Sequence, residues 1–139
     1  MNKVIERSMI VPNMHILVIE SPEIASKVRP GQFVIVRAAD EGERIPLSVA
    51  DYDAEKGTIT IIFMEVGAST SALAGLKAGD EVATCVGPLG NATSIETFGN
   101  VMLVGGCYGI GSLYPVAREL KKKGNRITMV LEARSSYLL

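Results

Sequence analysis

Val101-Met102-Leu103-Val104-Gly105-Gly106-Cys107-Tyr108-Gly109-Ile110-Gly111 divides the chain into two kinds of pattern. Its first four residues form a short apolar run of the kind buried on both faces of a parallel sheet. The glycine-rich stretch behind them predicts a tight turn. Beyond it Leu113, Val116, Ala117 and Leu120 recur at helical spacing, with Arg118, Glu119 and Lys121–Lys123 on the other, solvated side. Ser112 is placed to be the N-cap and Gly124 the C′ residue, and the three lysines suit the negative end of the helix dipole. Ile127–Leu131 reads as a second buried strand. Strand, glycine turn, helix and strand make one βαβ unit.

Upstream of Phe98-Gly99-Asn100 the pattern is different. Val4–Val11, Met14–Glu20, Gln32–Arg37, Pro46–Asp51, Thr58–Glu65 and Glu81–Val86 are each rich in Val, Ile, Thr or Phe, and several alternate apolar with polar. Turn signals separate them at Pro12-Asn13, Pro30-Gly31, Glu41-Gly42, Lys56-Gly57 and Ala78-Gly79-Asp80. Short strands at this spacing predict a small six-stranded antiparallel barrel, because closure removes exposed edges. One short helix is expected at Ser69–Leu76. The fold class is therefore mainly β: a barrel over residues 1–98, then an incomplete α/β unit over 99–139.

Composition narrows the function. With 14 Lys+Arg against 15 Asp+Glu, the net charge of -1 provides no basic footprint for nucleic acid or anionic lipid. A hydrophobic fraction of 47% is that of a folded chain. No apolar run reaches the roughly 18 to 20 residues that span a bilayer, and Met1–Glu6 shows no signal-peptide pattern. A soluble, cytoplasmic protein is expected. Two distant cysteines, Cys85 and Cys107, and a single histidine, His15, cannot supply a zinc or iron–sulfur ligand set, so no metal site is expected. Both thiols read as small apolar residues, and His15 as a structural histidine within a strand.

Two segments carry chemistry. A glycine turn between a parallel strand and a helix lets backbone N–H groups approach an anion, and the helix N-terminus adds partial positive charge there. Gly105, Gly106, Gly109 and Gly111 do not spell a GxGxxG fingerprint, and no Gly-Lys-Ser/Thr follows. The second segment is Arg44-Ile45-Pro46-Leu47-Ser48, joined by Gly67-Ala68-Ser69-Thr70 at the start of the short helix. An arginine fork, a strand hydroxyl and a helix N-terminus in one barrel suit a dinucleotide diphosphate. Each feature also has a structural reading: Arg44 as a surface charge, Ser48 as a strand hydroxyl, Ser69 as a cap, and the glycines as a plain tight turn.

Arg44–Ser48, Val66–Thr70, Leu76-Lys77-Ala78-Gly79-Asp80, Gly87-Pro88-Leu89-Gly90 and Val104–Gly111 occur in the order seen in the ferredoxin–NADP reductase superfamily, which the chain resembles over its whole length. It is most similar to electron-transfer subunits of the dihydroorotate dehydrogenase type B, sulfide dehydrogenase and NADH-dependent ferredoxin–NADP oxidoreductase kinds. The resemblance implies FAD in the barrel and NAD(P) on the α/β unit. Arg44, Pro46, Leu47 and Ser48 would line the flavin ring and diphosphate, with Ser48 the catalytic residue at the hydride-accepting edge. Gly67, Ser69 and Thr70 would bind the FAD diphosphate. Gly105, Gly106, Gly109 and Gly111 would cradle NAD(P). Electrons would pass between NAD(P)H and a redox partner subunit, such as a dehydrogenase or glutamate synthase-like large subunit. A homodimer or hetero-oligomer is expected, with no nucleic-acid or membrane partner.

Several positions depart from the superfamily pattern. Arg44 stands four residues before Ser48, where three is usual, and no aromatic flanks Ser48, which leaves ring contact to Leu47. Cys107 replaces a usual third glycine and is expected to be strained at positive φ. Ser112 falls where proline is common. Glu132 resembles an acid for a ribose 2′-OH, while Arg134 and Ser135 could receive a 2′-phosphate, so NAD and NADP both stay open. Superfamily members run on beyond the second α/β strand, so the chain is expected to be a fragment, and hydride transfer is not expected of it alone. Two other functions share this fold: a non-catalytic barrel used for docking or assembly, and a regulator that binds a nucleotide at the glycine turn without flavin.

Overall fold

The computed structural model describes residues 2–138; Met1 and Leu139 lie outside the described residues. Strands β1 (Val4–Val11), β2 (Met14–Glu20), β3 (Phe33–Arg37), β4 (Ile45–Asp53), β5 (Thr58–Met64) and β6 (Thr84–Leu89) form an antiparallel sheet ordered β1-β2-β5-β4-β3-β6. Alternation decides which face turns inward. In β5, Ile59, Ile61 and Phe63 are buried, while Thr60, Ile62 and Met64 between them are only partly covered. Leu17 and Ile19 of β2 and Val34 and Val36 of β3 meet them in one core. Burial of each such side chain contributes ~1.5–3 kcal/mol.

The sheet curls until its ends meet. Lys3 bridges Glu81, and the Val4 N–H donates to the Asp80 carbonyl at 2.8 Å. Closure is thus by an isolated bridge and its neighbouring bonds, not by a full ladder between β1 and β6.

The expected strand Glu81–Val86 is displaced to Thr84–Leu89. Glu81 serves the closing bridge instead, and β6 continues through Gly87-Pro88, where a register shift against β3 absorbs the proline. An edge strand tolerates this because the missing N–H breaks no inner ladder. A four-residue helix that sequence reading missed, α1 (Pro22–Ala25), buries Ile24 and Ala25 at one end of the barrel. The short helix expected at Ser69–Leu76 is α2 (Ala68–Gly75).

The second half is a βαβ unit: β7 (Asn100–Gly106), a 3-10 turn over Cys107–Gly109, α3 (Ile110–Lys122) and β8 (Arg126–Glu132). β7 and β8 are parallel, in register from Asn100↔Arg126 to Gly106↔Glu132. Gly124 follows α3 at φ +88, as a C′ residue should. Ser112 is not the N-cap. The helix starts earlier, with Gly109 at that position, and the Ser112 hydroxyl donates back to the Gly109 carbonyl at 2.7 Å. Arg118 is likewise not on the solvated side but turned to the barrel. The apolar run of β7 is covered on one face only: Met102 and Val104 are 65% and 67% exposed. A two-stranded sheet with one helix has no layer for its other face.

Asn125 fastens the connection between the halves. Its buried carboxamide accepts from the Phe98 and Gly99 N–H groups and donates to the Glu96 and Leu120 carbonyls, at 2.7–3.0 Å. No helix among the described residues is long and apolar enough to cross a membrane.

Candidate functional site

Three adjoining cavities form a groove along β4. The first, about 160 Å3, lies where Pro46, Leu47 and Ser48 of β4 face Tyr108, Gly109 and Gly111 of the α/β unit. The second, about 230 Å3, shares Pro46, Leu47, Ile62 and Tyr108 and reaches Val66 and Thr70. The third, about 500 Å3, shares Val66 and Thr70 and ends among Gly67, Ser69, Glu41 and Glu43. The fold therefore brings the barrel hydroxyl, the α2 N-terminus and the glycine turn onto one continuous surface. Arg44 stands apart: it is exposed, lines none of these cavities, and makes no hydrogen bond among the described residues.

At the α2 end the Thr70 hydroxyl accepts from the Val66 and Gly67 N–H groups at 2.9 and 3.0 Å and donates to the Gly67 carbonyl. This fixes the entry to the helix. The N–H groups of Ala68, Ser69 and Thr70 then begin the helix without a backbone acceptor, the usual state of a first turn. Gly67 is extended, and a Cβ built on it would meet open space. The opposite wall is acidic: the Ser69 hydroxyl lies 3.4 Å from a Glu43 carboxylate oxygen. An anion at this end must sit against the helix, away from Glu41 and Glu43.

At the other end the four glycines divide by what surrounds them. A Cβ on Gly105 would lie 2.5 Å from Leu113 Cδ1, and one on Gly111 would lie 3.1 Å from Ile62 Cδ1. Gly105 thus lets α3 close onto β7, and Gly111 lets α3 close onto the barrel. Gly106 has only an ordinary contact, and Gly109 faces open space. Cys107 has φ +50, as expected, and such a conformation costs a non-glycine residue ~1–3 kcal/mol.

A latch holds α3 to the barrel. Arg118 forms an ion pair with Asp51 of β4, a second at 3.1 Å with Glu119, and lies over the rings of Tyr52 (4.9 Å) and Tyr114 (5.7 Å). Beneath the groove, buried His15 stacks on Phe63 and has Nε2 3.0 Å from Glu65 Oε2; its Nδ1 has no partner among the described residues. Bonds from the Ser71 hydroxyl and His15 hold the Glu65 carboxyl below its ordinary pKa. Burial pushes the Cys85 thiol up to about 11, so it is an inert packing residue. No cluster of His, Cys, Asp or Glu among the described residues is arranged to hold a metal.

Tyr108, Ile62 and the latch escaped sequence reading. Tyr108 had a visible signal, an aromatic inside a glycine turn. Arg118 had none, because its partner is 67 residues away.

A curled six-stranded antiparallel sheet joined through one groove to a strand–glycine turn–helix–strand unit is the ferredoxin–NADP reductase architecture, which the chain shares with proteins of that superfamily. Within it, the chain is 45% identical, over its whole length, to a Thermotoga maritima protein named as a homolog of the electron transfer subunit of dihydroorotate dehydrogenase B (NAD+). It is 36% identical over 92% of its length to the subunit of that name from Shouchella clausii. Among solved structures it superposes, with a TM-score of 0.96 and 45% identity, on a chain of the NADH-dependent reduced ferredoxin–NADP oxidoreductase studied for flavin-based electron bifurcation. The match covers all of this chain and 51% of that one. The chain likewise spans about half the length of the curated relatives it matches, 50% and 51% for the two above. No family model matches it.

Proposed function

We propose that the chain is the FAD-binding half, with the first part of the NAD(P)-binding half, of an electron-transfer subunit that passes electrons between NAD(P)H and a redox partner subunit. The observation that supports this reading is the continuous groove from the α2 N-terminus, past Ser48, to the glycine turn. Residues 1–98 are the flavin domain and residues 99–139 begin the nucleotide domain.

The groove suits the chemistry of the group. The free N–H groups of Ala68, Ser69 and Thr70 supply donors for a diphosphate, and the helix dipole favours its charge. Arg44 lines none of the cavities but lies in the chain between Glu43 and Pro46, which do, and adds a positive charge there. Pro46, Leu47 and Ile62 offer an apolar wall for a flat ring, and the Ser48 hydroxyl, which makes no hydrogen bond among the described residues, is left to orient the ring edge. Gly106 and Gly109 give an NAD(P) backbone an unobstructed approach; Gly105 and Gly111 hold the turn that presents them. Bound flavin supplies two-electron acceptance from nicotinamide and one-electron release to the partner. The chain holds the two rings in register by fixing α3 on β4.

The test is a visible absorbance spectrum of the purified chain before and after incubation with FAD and removal of the excess. Flavin retained near one per chain is the expected result, and exposure of the loaded chain to NADH or NADPH then tests the second half separately. A colourless chain that retains no added FAD overturns the reading and leaves the docking module and the flavin-free nucleotide regulator.

A further inference from the structure

The aromatic ring missing beside Ser48 is supplied from the other half of the molecule. Tyr108 is the residue of the 3-10 turn that lines both the first and second cavities, where they meet Pro46, Leu47 and Ile62 of the barrel. It is 55% exposed, and its hydroxyl makes no hydrogen bond among the described residues, so neither packing nor bonding within the chain accounts for its position. The turn that carries it is strained: Cys107, immediately before it, holds φ +50. Strain of this kind persists where the surrounding structure fixes a conformation for a use. The result is a slot with an aliphatic wall on the barrel side and one electron-rich ring on the other.

Resting on the flavin reading above, we propose that Tyr108 stacks on the isoalloxazine ring, so that bound FAD is gripped between the barrel and the α/β unit. An aromatic face against an aliphatic wall selects a flat heteroaromatic ring, because offset stacking adds to the apolar contact. The flavin then joins the two halves, with Tyr108 contributed by the nucleotide side and Pro46, Leu47 and Ile62 by the barrel.

The experiment compares the full wild-type chain with Tyr108→Phe and Tyr108→Leu, each loaded with FAD. The readouts are flavin affinity and the fluorescence of the bound flavin. A phenol in contact with an excited flavin quenches it by electron transfer, and a phenyl ring does so poorly. Tyr108→Leu is expected to weaken FAD binding roughly 2- to 10-fold, the loss for one stacking contact, and to brighten the bound flavin. Tyr108→Phe should keep the affinity and still brighten. The substituted position is exposed, so the fold is not at risk. Flavin bound with unchanged affinity and fluorescence in Tyr108→Leu overturns the stacking assignment and leaves the flavin reading standing. A wild-type chain that retains no FAD overturns both.

Discussion

The barrel and the βαβ unit are built from equally apolar strands, yet they treat those side chains in opposite ways. In β5 the inward residues Ile59, Ile61 and Phe63 are at most 1% exposed, because the sheet curls back on its own face. In β7 Met102 and Val104 are 65% and 67% exposed, because two parallel strands have only α3 to cover one side. An antiparallel sheet can complete its own core, whereas a parallel one needs a layer on each face. The difference separates a half whose stability is intrinsic from a half that depends on its neighbours.

The sharpest way to break that comparison is a pair of substitutions. Phe63→Ala removes the largest fully buried ring of the barrel and should cost ~3–5 kcal/mol in denaturant unfolding. Val104→Thr, on the open face of β7, should stay within about 0.5 kcal/mol of wild type. Similar losses at both sites would mean that the two sheets are buried alike, contrary to the structure.

Gly105→Val should have the next largest effect and a local one. Its Cβ would meet Leu113 Cδ1 at 2.5 Å, so α3 must lift from β7, at ~1–3 kcal/mol for overpacking. Amide exchange should quicken in β7 and β8 while β2 and β5 stay protected. Uniform loss of protection would show that the halves unfold as one unit.

Arg118→Ala tests what ties the halves together. The Arg118 and Asp51 side chains are 25% and 40% exposed, so solvent screens their attraction. A double-mutant cycle with Asp51→Ala should return a coupling of about 1 kcal/mol or less, shrinking as salt is added. Zero coupling at low salt would assign the docking of α3 to Gly111 and its contact with Ile62 instead.

Much of the fold was legible because its signals are local. Thr58–Met64 alternates over enough residues to fix both strand and face, and Gly124 marks a helix end by the conformation it alone adopts easily. What was missed lacked a period or a nearby partner. α1 is a single turn, too short for any repeat. Arg118 sits among charges on an amphipathic helix, and only the tertiary fold shows that it points at Asp51. At the site, Pro46, Leu47, Ser48, Gly67, Ser69, Thr70, Gly109 and Gly111 line one groove, and their strand and turn positions could be read from sequence. Tyr108 needed the turn's direction, which the left-handed Cys107 sets.

The smallest expected effect concerns the barrel rim, where Glu65 leaves β5 just before α2. Bonds from the Ser71 hydroxyl and His15 lower its pKa in the folded state below the ordinary 4.5. A depressed folded-state pKa means that the unfolded chain takes up a proton first as the solution is acidified. The stabilisation is therefore complete above the unfolded-state pKa and is lost as pH falls through the lower, folded one. Melting temperatures of wild type and Glu65→Gln, measured from pH 7 down to pH 3, should differ most at the neutral end and converge in acid. A gap that stays constant over that range would mean that Glu65 acts by shape alone. Convergence would place the rim's contribution in the carboxylate charge held by Ser71 and His15, a polar fastening at the edge of a half otherwise stabilised by its apolar core.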